Sequence, residues 1–314
     1  MAPADRVIAS IIIVIDYKAG GSEAWDNLRL TLKGLTQQDY REPVEFLLVE
    51  ADDGKRVPDD LQRILPGLRV VRSAGKTSYD FKNAGARAAA ADFVVLLDAD
   101  CVPQPGWWRA LIDHRRRHPE AAAISGRTLY RAPGLLPRIL AMIDRSYVDC
   151  GGPGRTRAVS NNNCAFRREV LLKFPLRNEL GPFGSKGHVD RILADGCELR
   201  FEPGMRVEHG YGGWRMVQAD RRQIGFAMTR YRQLHQDSSH AWMFKLGVVG
   251  LPLVLAMAVA GTWKRSLRHA SHYGLRWFEV PVALAAAVPT HALELPGILL
   301  ALRGGSIEAV GTYR

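Results

Sequence analysis

Short, unbroken apolar runs alternate in the first third of this chain with segments whose apolar positions return every three or four residues. Val7 to Ile15 (VIASIIIVI), Val44 to Val49, Leu68 to Val71 and Phe93 to Leu97 are of the first kind. Runs this short and this apolar predict strands covered on both faces. Between them lie segments of helical period. Ser22 caps a helix through Asn27, Leu28, Leu32 and Leu35; Pro58 opens a short helix to Leu65; an Ala-rich helix covers Tyr79 to Ala91. The paired glycines of DYKAGGSEAW form a loop after the first strand. Strand and helix in regular alternation predict an α/β fold with a parallel, doubly wound sheet.

The strand at Phe93 runs directly into Asp98-Ala99-Asp100. Open α/β sheets place ligands at the carboxyl ends of their strands. On an extended chain, positions i and i+2 point the same way, so the spacing aims two carboxylates at one divalent cation. The plain alternative is a strand ending in a polar turn. Acidic residues also follow the second strand, at Glu50, Asp52 and Asp53, where Rossmann-like sheets bind ribose or base hydroxyls.

The pattern continues beyond that point. Pro103 and Pro105 set a turn, and Trp107, Trp108, Leu111 and Ile112 form one face of a helix that ends in Arg115-Arg116-Arg117. Such cations suit the end of a helix dipole. Ala121 to Leu129 is a strand, Leu135 to Val148 an amphipathic helix, and Gly151 to Gly154 a loop. In SNNNCAFRREVL a strand ends near Ser160 and a helix starts near Arg167. Gly181 to Gly187 is a loop and His188 to Ala194 a helix. Leu199 to Glu202 and Met205 to Glu208 are two short strands, and Met216 to Leu234 is a basic helix. Asn162 and Asn163 offer amide groups to a sugar, although asparagine also favours turns. His209, at a strand end among glycines, can meet a ligand closely.

Composition narrows the field. At 314 residues the chain accommodates one large α/β domain and an appendage. A formal net charge of +11 suits a solvated surface or attraction to anions such as nucleotide phosphates or an acidic membrane face. Base-stacking aromatic signatures are missing, so nucleic acid ranks last as a partner. The four cysteines, Cys101, Cys150, Cys164 and Cys197, show no zinc-ligand spacing and read as reduced thiols of a cytosolic domain. The apolar run at the N-terminus is short and ends at Asp16, unlike a signal peptide.

Taken in order, the first apolar strand, Glu50, KNAGARAAA before LLDAD, NNNCAFRR, and RILADG followed by FEPGMRVEHG resemble the family 2 glycosyltransferases. The likeness covers Val7 to Leu234. It implies the GT-A fold, a Rossmann-like, mostly parallel sheet flanked by helices. It also implies inverting sugar transfer from a nucleotide sugar, UDP- or GDP-linked, with Mg²⁺ or Mn²⁺. Asp98 and Asp100 resemble the family's D-x-D, which contacts the nucleotide sugar and the metal. Glu50 stands where an aspartate usually holds the base or ribose, and His209 resembles the histidine that completes the metal site. Lys82 and Asn83 match a helix near the nucleotide, and Asn162, Asn163 and Arg167 match the acceptor-side segment. Many inverting members carry a Glu-Asp pair shortly before the arginine that corresponds to Arg191, its aspartate being the general base. Gly184 and Ser185 stand there instead, which leaves Asp190 and His188 as candidate bases. Arg221 and Arg222 of the basic helix are candidate phosphate donors. A second possibility is a non-catalytic nucleotide-sugar-binding scaffold with a degenerate site.

The division expected is a transferase domain at 1–235 and membrane-associated helices at 236–314. Leu246 to Trp263 carries no charge and approaches the length of a membrane span. Val280 to Leu302 is apolar but holds His291, Glu294 and three prolines. Two full spans would leave the basic segment Lys264 to Arg276 outside, against the positive-inside tendency. A shallow apolar hairpin at the cytoplasmic face, with Lys264, Arg265, Arg268 and Arg276 on lipid phosphates, avoids that conflict. A buried hairpin packed on the first domain is the soluble alternative. The acceptor expected is a lipid or a glycan.

Overall fold

The computed structural model describes residues 7–15, 22–54 and 56–306. The paired-glycine loop at 16–21 and the side chain of Ser22 lie outside the described residues. The sheet begins with β1 (Ala9–Val14), β2 (Val44–Ala51), β3 (Leu68–Ser73) and β4 (Phe93–Asp98), all parallel. The helices between them are α1 (Ser22–Thr36), α2 (Asp60–Ile64) and α3 (Ser78–Ala88). A capping box starts α3: the Thr77 hydroxyl accepts from the Asp80 backbone, and the Asp80 carboxylate accepts from the Thr77 N–H.

Residue parity explains the two cores. Ile11, Ile13, Leu48, Val95 and Leu97 face α1, where Leu28, Leu32 and Leu35 are fully buried. Ile12, Val14, Leu47, Val49, Val94 and Leu96 face α3 on the other side. Adjacent strand residues point to opposite faces, so a sheet covered on both sides needs apolar residues at every position.

The second half makes the sheet mixed. After β5 (Cys101–Pro103) and α4 (Trp107–Arg117) come β6 (Ala123–Arg131), α5 (Leu135–Arg145), β7 (Gly154–Thr156), β8 (Asn163–Arg167), α6 (Arg168–Lys173) and α7 (Ser185–Ala194). The last strand is β9 (Leu199–Gly210), and α8 (Gly213–Leu234) follows it. The strand order is β3-β2-β1-β4-β8-β6-β9-β5, with β7 on β9. Strand β8 runs antiparallel to both β4 and β6, whereas β6 and β9 are parallel to each other. The carboxyl ends of β1, β2, β4, β6 and β9 therefore share one rim.

The C-terminal helices are α9 (Ala241–Lys245), α10 (Leu251–His269), α11 (Val280–Ala292) and α12 (Leu295–Leu302). Helix α12 lies against α8 at backbone distance: a Cβ on Gly297 would stand 1.8 Å from the Arg222 carbonyl oxygen, and one on Gly225 would stand 2.2 Å from that of Glu294. Only glycine permits that approach. Thr262 on α10 meets His291 on α11 (Oγ1 to Nε2, 2.8 Å), and the Trp263 indole donates to the Leu284 carbonyl at 2.8 Å. His272 Nδ1 stands 3.4 Å from the buried carboxylate of Asp149, joining the hairpin to the segment after α5. The expected apolar hairpin is present, and it is fastened to the sheet domain. Gly247–Tyr273 and Trp277–Leu302 are long and apolar enough to cross a membrane by length and composition.

Candidate active site

Strand β4 delivers Asp98 to the rim level with Val14 of β1. The chain then turns through Ala99, whose N–H donates to the Val14 carbonyl (2.9 Å) and whose own carbonyl accepts from the buried Thr31 hydroxyl (2.7 Å). That turn separates the two carboxylates. Residues i and i+2 share a direction only on extended backbone, and the strand stops at Asp98. Asp98 pairs with Lys82 Nζ at 2.7 Å, and Lys82 is buried on α3. Asp100 instead faces His209, with Oδ2 3.5 Å from Nε2. The Gly210 N–H donates to the Asp100 carbonyl at 2.9 Å and locks the two ends together.

His209 sits between two neighbouring strands, level with Cys101 on β5 and Tyr130 on β6. Its Nδ1 lies 2.6 Å from the Gly210 carbonyl oxygen, which can only accept, so Nδ1 carries the proton. In the neutral ring, Nε2 then presents its lone pair toward Asp100. Asp100, Cys101 and His209 offer ligand atoms all within 4.8 Å of one another. Burial pushes the Cys101 thiol well above its ordinary value, aided by Asp100 and Asp98, so it stays protonated. Asp100 and His209 together offer an oxygen and a nitrogen that can hold a hard divalent cation, and Asp98 is paired with Lys82.

The remaining expected residues divide by geometry. Glu50 is buried at the end of β2, on the same rim as Asp98. Asn162 is also at the rim: its backbone carbonyl accepts from the Asp98 N–H at 3.3 Å, and its side-chain oxygen accepts from Ser160 at 2.6 Å. Asn163 is fully buried. It accepts from the Trp107 indole (2.9 Å) and donates to the carbonyls of Arg127 (3.1 Å) and Met205 (2.8 Å), so its amide is committed to the core. Asn83 is one residue from Lys82, about 100° around the helix, and its amide brackets the backbone of Leu176 at 2.8 and 3.0 Å.

Arg167 is placed elsewhere. Because β8 is antiparallel to β4, Asn163 lies opposite Leu97 while Arg167 lies opposite Phe93, at the far end of the strand. Five residues of strand put it about 16 Å from the rim, paired with Glu169 at 3.2 Å. Arg221 is equally committed: it is buried and forms ion pairs with Asp144 and with Glu294 (2.9 Å to the latter). Burial alone would lower its pKa, but those two carboxylates outweigh it and raise it. Arg222, its neighbour, points outward and is exposed.

Neither candidate base joins Asp100 and His209. His188 is buried with its ring 5.5 Å from that of Phe166, and burial, with the charge of Arg191, lowers its pKa to about 4. Asp190 is taken by Lys186 and the Tyr231 hydroxyl. Sequence reasoning missed Tyr130, whose ring centroid lies 5.9 Å from that of His209 and 5.4 Å from Tyr211, and whose hydroxyl donates to Asp144 at 2.7 Å. The clue available was position: Tyr130 ends a strand, as Asp98 and His209 do.

No curated protein sequence matches the chain. Among solved structures, it is similar to the mannosyltransferase PcManGT from Pyrobaculum calidifontis in complex with GDP-Man and Mn²⁺, at 15% identity over 95% of this chain and 86% of that one, with a TM-score of 0.53. It is also similar to GalNAc-T7 with UDP, GalNAc and Mn²⁺ (17% identity, 65% and 43% covered, TM-score 0.47). A third is S. aureus TarS 1-349 (11% identity, 92% and 90% covered, TM-score 0.48). At these identities the first likeness bears on the fold alone. The sequence profile described as "Glycosyl transferase family 2" matches residues 11–174, more than half the chain. With its mixed sheet, its strand-end acids on one rim and that match, the chain is a GT-A glycosyltransferase and belongs to glycosyl transferase family 2.

Proposed function

We propose that the enzyme transfers a sugar, with inversion, from a UDP- or GDP-linked donor to a lipid or polysaccharide acceptor at the cytoplasmic face of a membrane, using Mg²⁺ or Mn²⁺. The observation that carries this is the convergence of Asp100 and His209, from two different strands, on one point of the rim. A carboxylate oxygen and an imidazole nitrogen whose tautomer is fixed by a backbone carbonyl are a donor set suited to such an ion. PcManGT, of the same fold, holds GDP-Man and Mn²⁺, which agrees with that donor set. The ion supplies positive charge against the departing diphosphate.

The chain's own residues do the rest. Lys82, kept in place by Asp98, adds a fixed cation near the phosphates. Glu50, on the neighbouring strand end, is positioned to accept from ribose or base hydroxyls. Tyr130 and Tyr211 wall the histidine side of the site. The test is turnover of a panel of nucleotide sugars by the intact protein with and without Mn²⁺. Asp100→Ala should abolish metal-stimulated turnover and leave the unfolding midpoint within a degree or two, since a strand-end acid contributes little to packing. Retained stimulation in that variant sinks the proposal. Nucleotide-sugar binding without any turnover by the parent protein supports the scaffold reading.

Membrane association rests on the outer face of the C-terminal helices. Val249 and Trp277, before and after α10, are 86% and 85% exposed, and Trp242, Leu246, Val248, Leu267 and Phe278 are exposed as well. Apolar and tryptophan side chains in that quantity fit the boundary of a bilayer. A hairpin lying on the membrane accounts for this better than two spans. Helix α12 touches α8 backbone to backbone, and α8 carries Arg215, Arg222, Arg230 and Arg232. A segment so joined to a charged helix cannot stand across a hydrocarbon layer without taking that helix with it. Protease added outside sealed vesicles, with the enzyme inside, should leave the segment Lys264–Arg276 intact; external cleavage refutes the shallow placement.

A further inference from the structure

The basic segment Lys264–Arg276 was expected to lay its cations on lipid phosphates. Arg265 turns inward instead: it is half-buried and donates to the Thr262 hydroxyl at 2.9 Å. Two histidines of the same segment also face the protein. His269 ends α10, and His272 lies in the helical turn Ala270–Tyr273 that follows. Residues three apart on a helix share a face, and these two rings have centroids 5.4 Å apart. Both meet Asp149 in the segment after α5. The two histidine side chains are 13% and 29% exposed, and that of Asp149 is 0% exposed. Together the three residues offer ligand atoms all within 4.8 Å of one another.

The spacing is too long for hydrogen bonds and suits a metal ion. Nδ1 of His272 stands 3.4 Å from Asp149 Oδ2, and Nδ1 of His269 stands 4.0 Å from Oδ1. Both nitrogens are enclosed, and neither makes a hydrogen bond. A ring N–H bonded to a carboxylate would stand at about 2.7–2.9 Å. A bare ring nitrogen sets its lone pair against the carboxylate charge, and a cation held by both relieves that repulsion. Burial holds the His269 pKa below its ordinary value, against the pull of Asp149, which favours the neutral ring that a metal requires. Zinc bonds nitrogen and oxygen at about 2.0–2.2 Å, so neighbouring ligands of a tetrahedral site stand about 3.3–3.6 Å apart. The edge between His272 and Asp149 already has that length. With no hydrogen bond on Nδ1, the half-exposed His272 ring can turn to close the wider edges.

Asp149 is oriented by its other partners. Its Oδ2 accepts from Arg127 Nε at 3.0 Å and its Oδ1 from the Gly151 N–H at 2.8 Å. Donors of this kind fix a ligating carboxylate, although the Arg127 charge itself opposes a cation. The carboxyl end of α10 adds the negative pole of a helix dipole. Arg127 precedes Tyr130 by three residues on β6, and Tyr130 is level with His209. About 10 Å of strand therefore separates this cluster from the candidate active site. We propose that Asp149, His269 and His272 form a second metal site, one that takes Zn²⁺ with water as the fourth ligand and pins the end of α10 to the segment after α5. Two imidazoles and one carboxylate favour zinc over the harder ions expected at Asp100. Cysteine takes no part: Cys150, next to Asp149, is exposed and donates to the Gly152 carbonyl at 3.4 Å. The inference does not depend on the transfer reaction proposed above.

Zinc uptake by the full chain in mild detergent, without nucleotide, tests this by competition with a chromogenic chelator. A Cys150→Ser/His209→Ala background removes the exposed thiol and one ligand of the other site. In that background one Zn²⁺ per chain should bind, and adding His269→Gln/His272→Gln should weaken it at least about tenfold, as the loss of two ligands requires. X-ray absorption at the zinc edge should show nitrogen and oxygen neighbours at about 2.0–2.1 Å and no sulfur. Zinc should also raise the melting midpoint and slow tryptic cleavage within Lys264–Arg276, and both effects should vanish in the histidine double variant. His272→Asp is the second variant, since its carboxylate oxygen lies as many bonds from Cβ as Nδ1 does; it should bind Zn²⁺ more tightly than His272→Ala. Equal uptake with and without the two histidines, a sulfur neighbour, or His272→Asp binding no better than His272→Ala overturns the assignment. Protection that follows pH alone, unmoved by zinc or by a chelator, makes the cluster a protonation clasp and also refutes the metal site.

Discussion

Replacing Arg221 with methionine keeps most of the side-chain volume and removes the charge between Asp144 and Glu294. Arg221 is 4% exposed at the side chain, and its two carboxylate partners are 10% and 11% exposed. The variant leaves two enclosed acids near each other, each with one weaker partner: the Tyr130 hydroxyl for Asp144 and His291 for Glu294. Deleting one member of a buried ion pair costs about 3–5 kcal/mol, because the survivors stay desolvated and unpaired. At roughly 2–4 °C per kcal/mol for a domain of this order, the melting midpoint should fall by about 6–20 °C. Thermal unfolding in mild detergent measures it, with limited proteolysis to locate the opening, which should begin at the junction of α8 and α12. Adding Glu294→Gln to Arg221→Met should cost less than the sum of the two single changes, by about 0.5–3 kcal/mol. If Arg221 is instead a phosphate ligand, the variant loses nucleotide affinity at an unchanged midpoint, and that outcome refutes the role in fastening the helices.

Three further expectations concern separate parts of the molecule. His188 must be neutral when folded: burial holds its pKa at about 4 against the ordinary 6.5 of the unfolded chain, which therefore takes up the extra proton between those values. Stability is therefore complete above pH 6.5 and falls as the pH drops toward 4, by about 3 kcal/mol from this group; His188→Leu should flatten the acid limb of a urea stability profile by that amount, and an unchanged limb refutes the burial argument. Gly297→Leu should separate α12 from α8, since its side chain has no room beside the Arg222 carbonyl; hydrogen exchange should then rise across Leu295–Leu302 while β1 to β4 stay protected, and unchanged exchange contradicts the close packing. Val249→Asp/Trp277→Asp should weaken binding to sedimented anionic vesicles at least about tenfold, given about 1.5–3 kcal/mol for each large apolar side chain withdrawn from water; unaltered sedimentation removes this face from the membrane contact.

Much of the sheet domain was legible because its strands are covered on both faces. Unbroken runs such as Ile11–Ile15 and Phe93–Leu97 have few other uses in a chain of this composition, and helical period filled the gaps between them. What escaped was decided by pairing. Strand β5 was read as a turn because of Pro103, yet an edge strand tolerates proline. The two short strands expected at 199–208 are one strand, β9, whose partner shifts register between Gly126 and Arg127. The strand near Ser160 begins at Asn163 instead and runs backwards, which carried Arg167 away from the rim. For the site, the nearness of His209 and Asp100 on one rim was suggested by their places beside strand ends, whereas the separation of Asp98 from Asp100 depends on a turn that D-x-D does not specify. Arg221 looked like a phosphate donor because a basic helix follows the histidine. Its partners, Asp144 and Glu294, are 77 and 73 residues away, and sequence alone offers no sign of such a triad.

The proposed chemistry depends on Asp100 and His209 gripping one divalent ion next to a nucleoside diphosphate. Electron paramagnetic resonance titration of free Mn²⁺ into the protein with GDP, and again with UDP, reads that grip directly. The parent protein should take up one Mn²⁺ per chain only when its nucleotide is present, and both Asp100→Asn and His209→Ala should weaken the uptake at least about tenfold, each removing one ligand. Mn²⁺ uptake equal in the parent and in both variants would contradict the assignment of the metal site and, with it, the proposed chemistry.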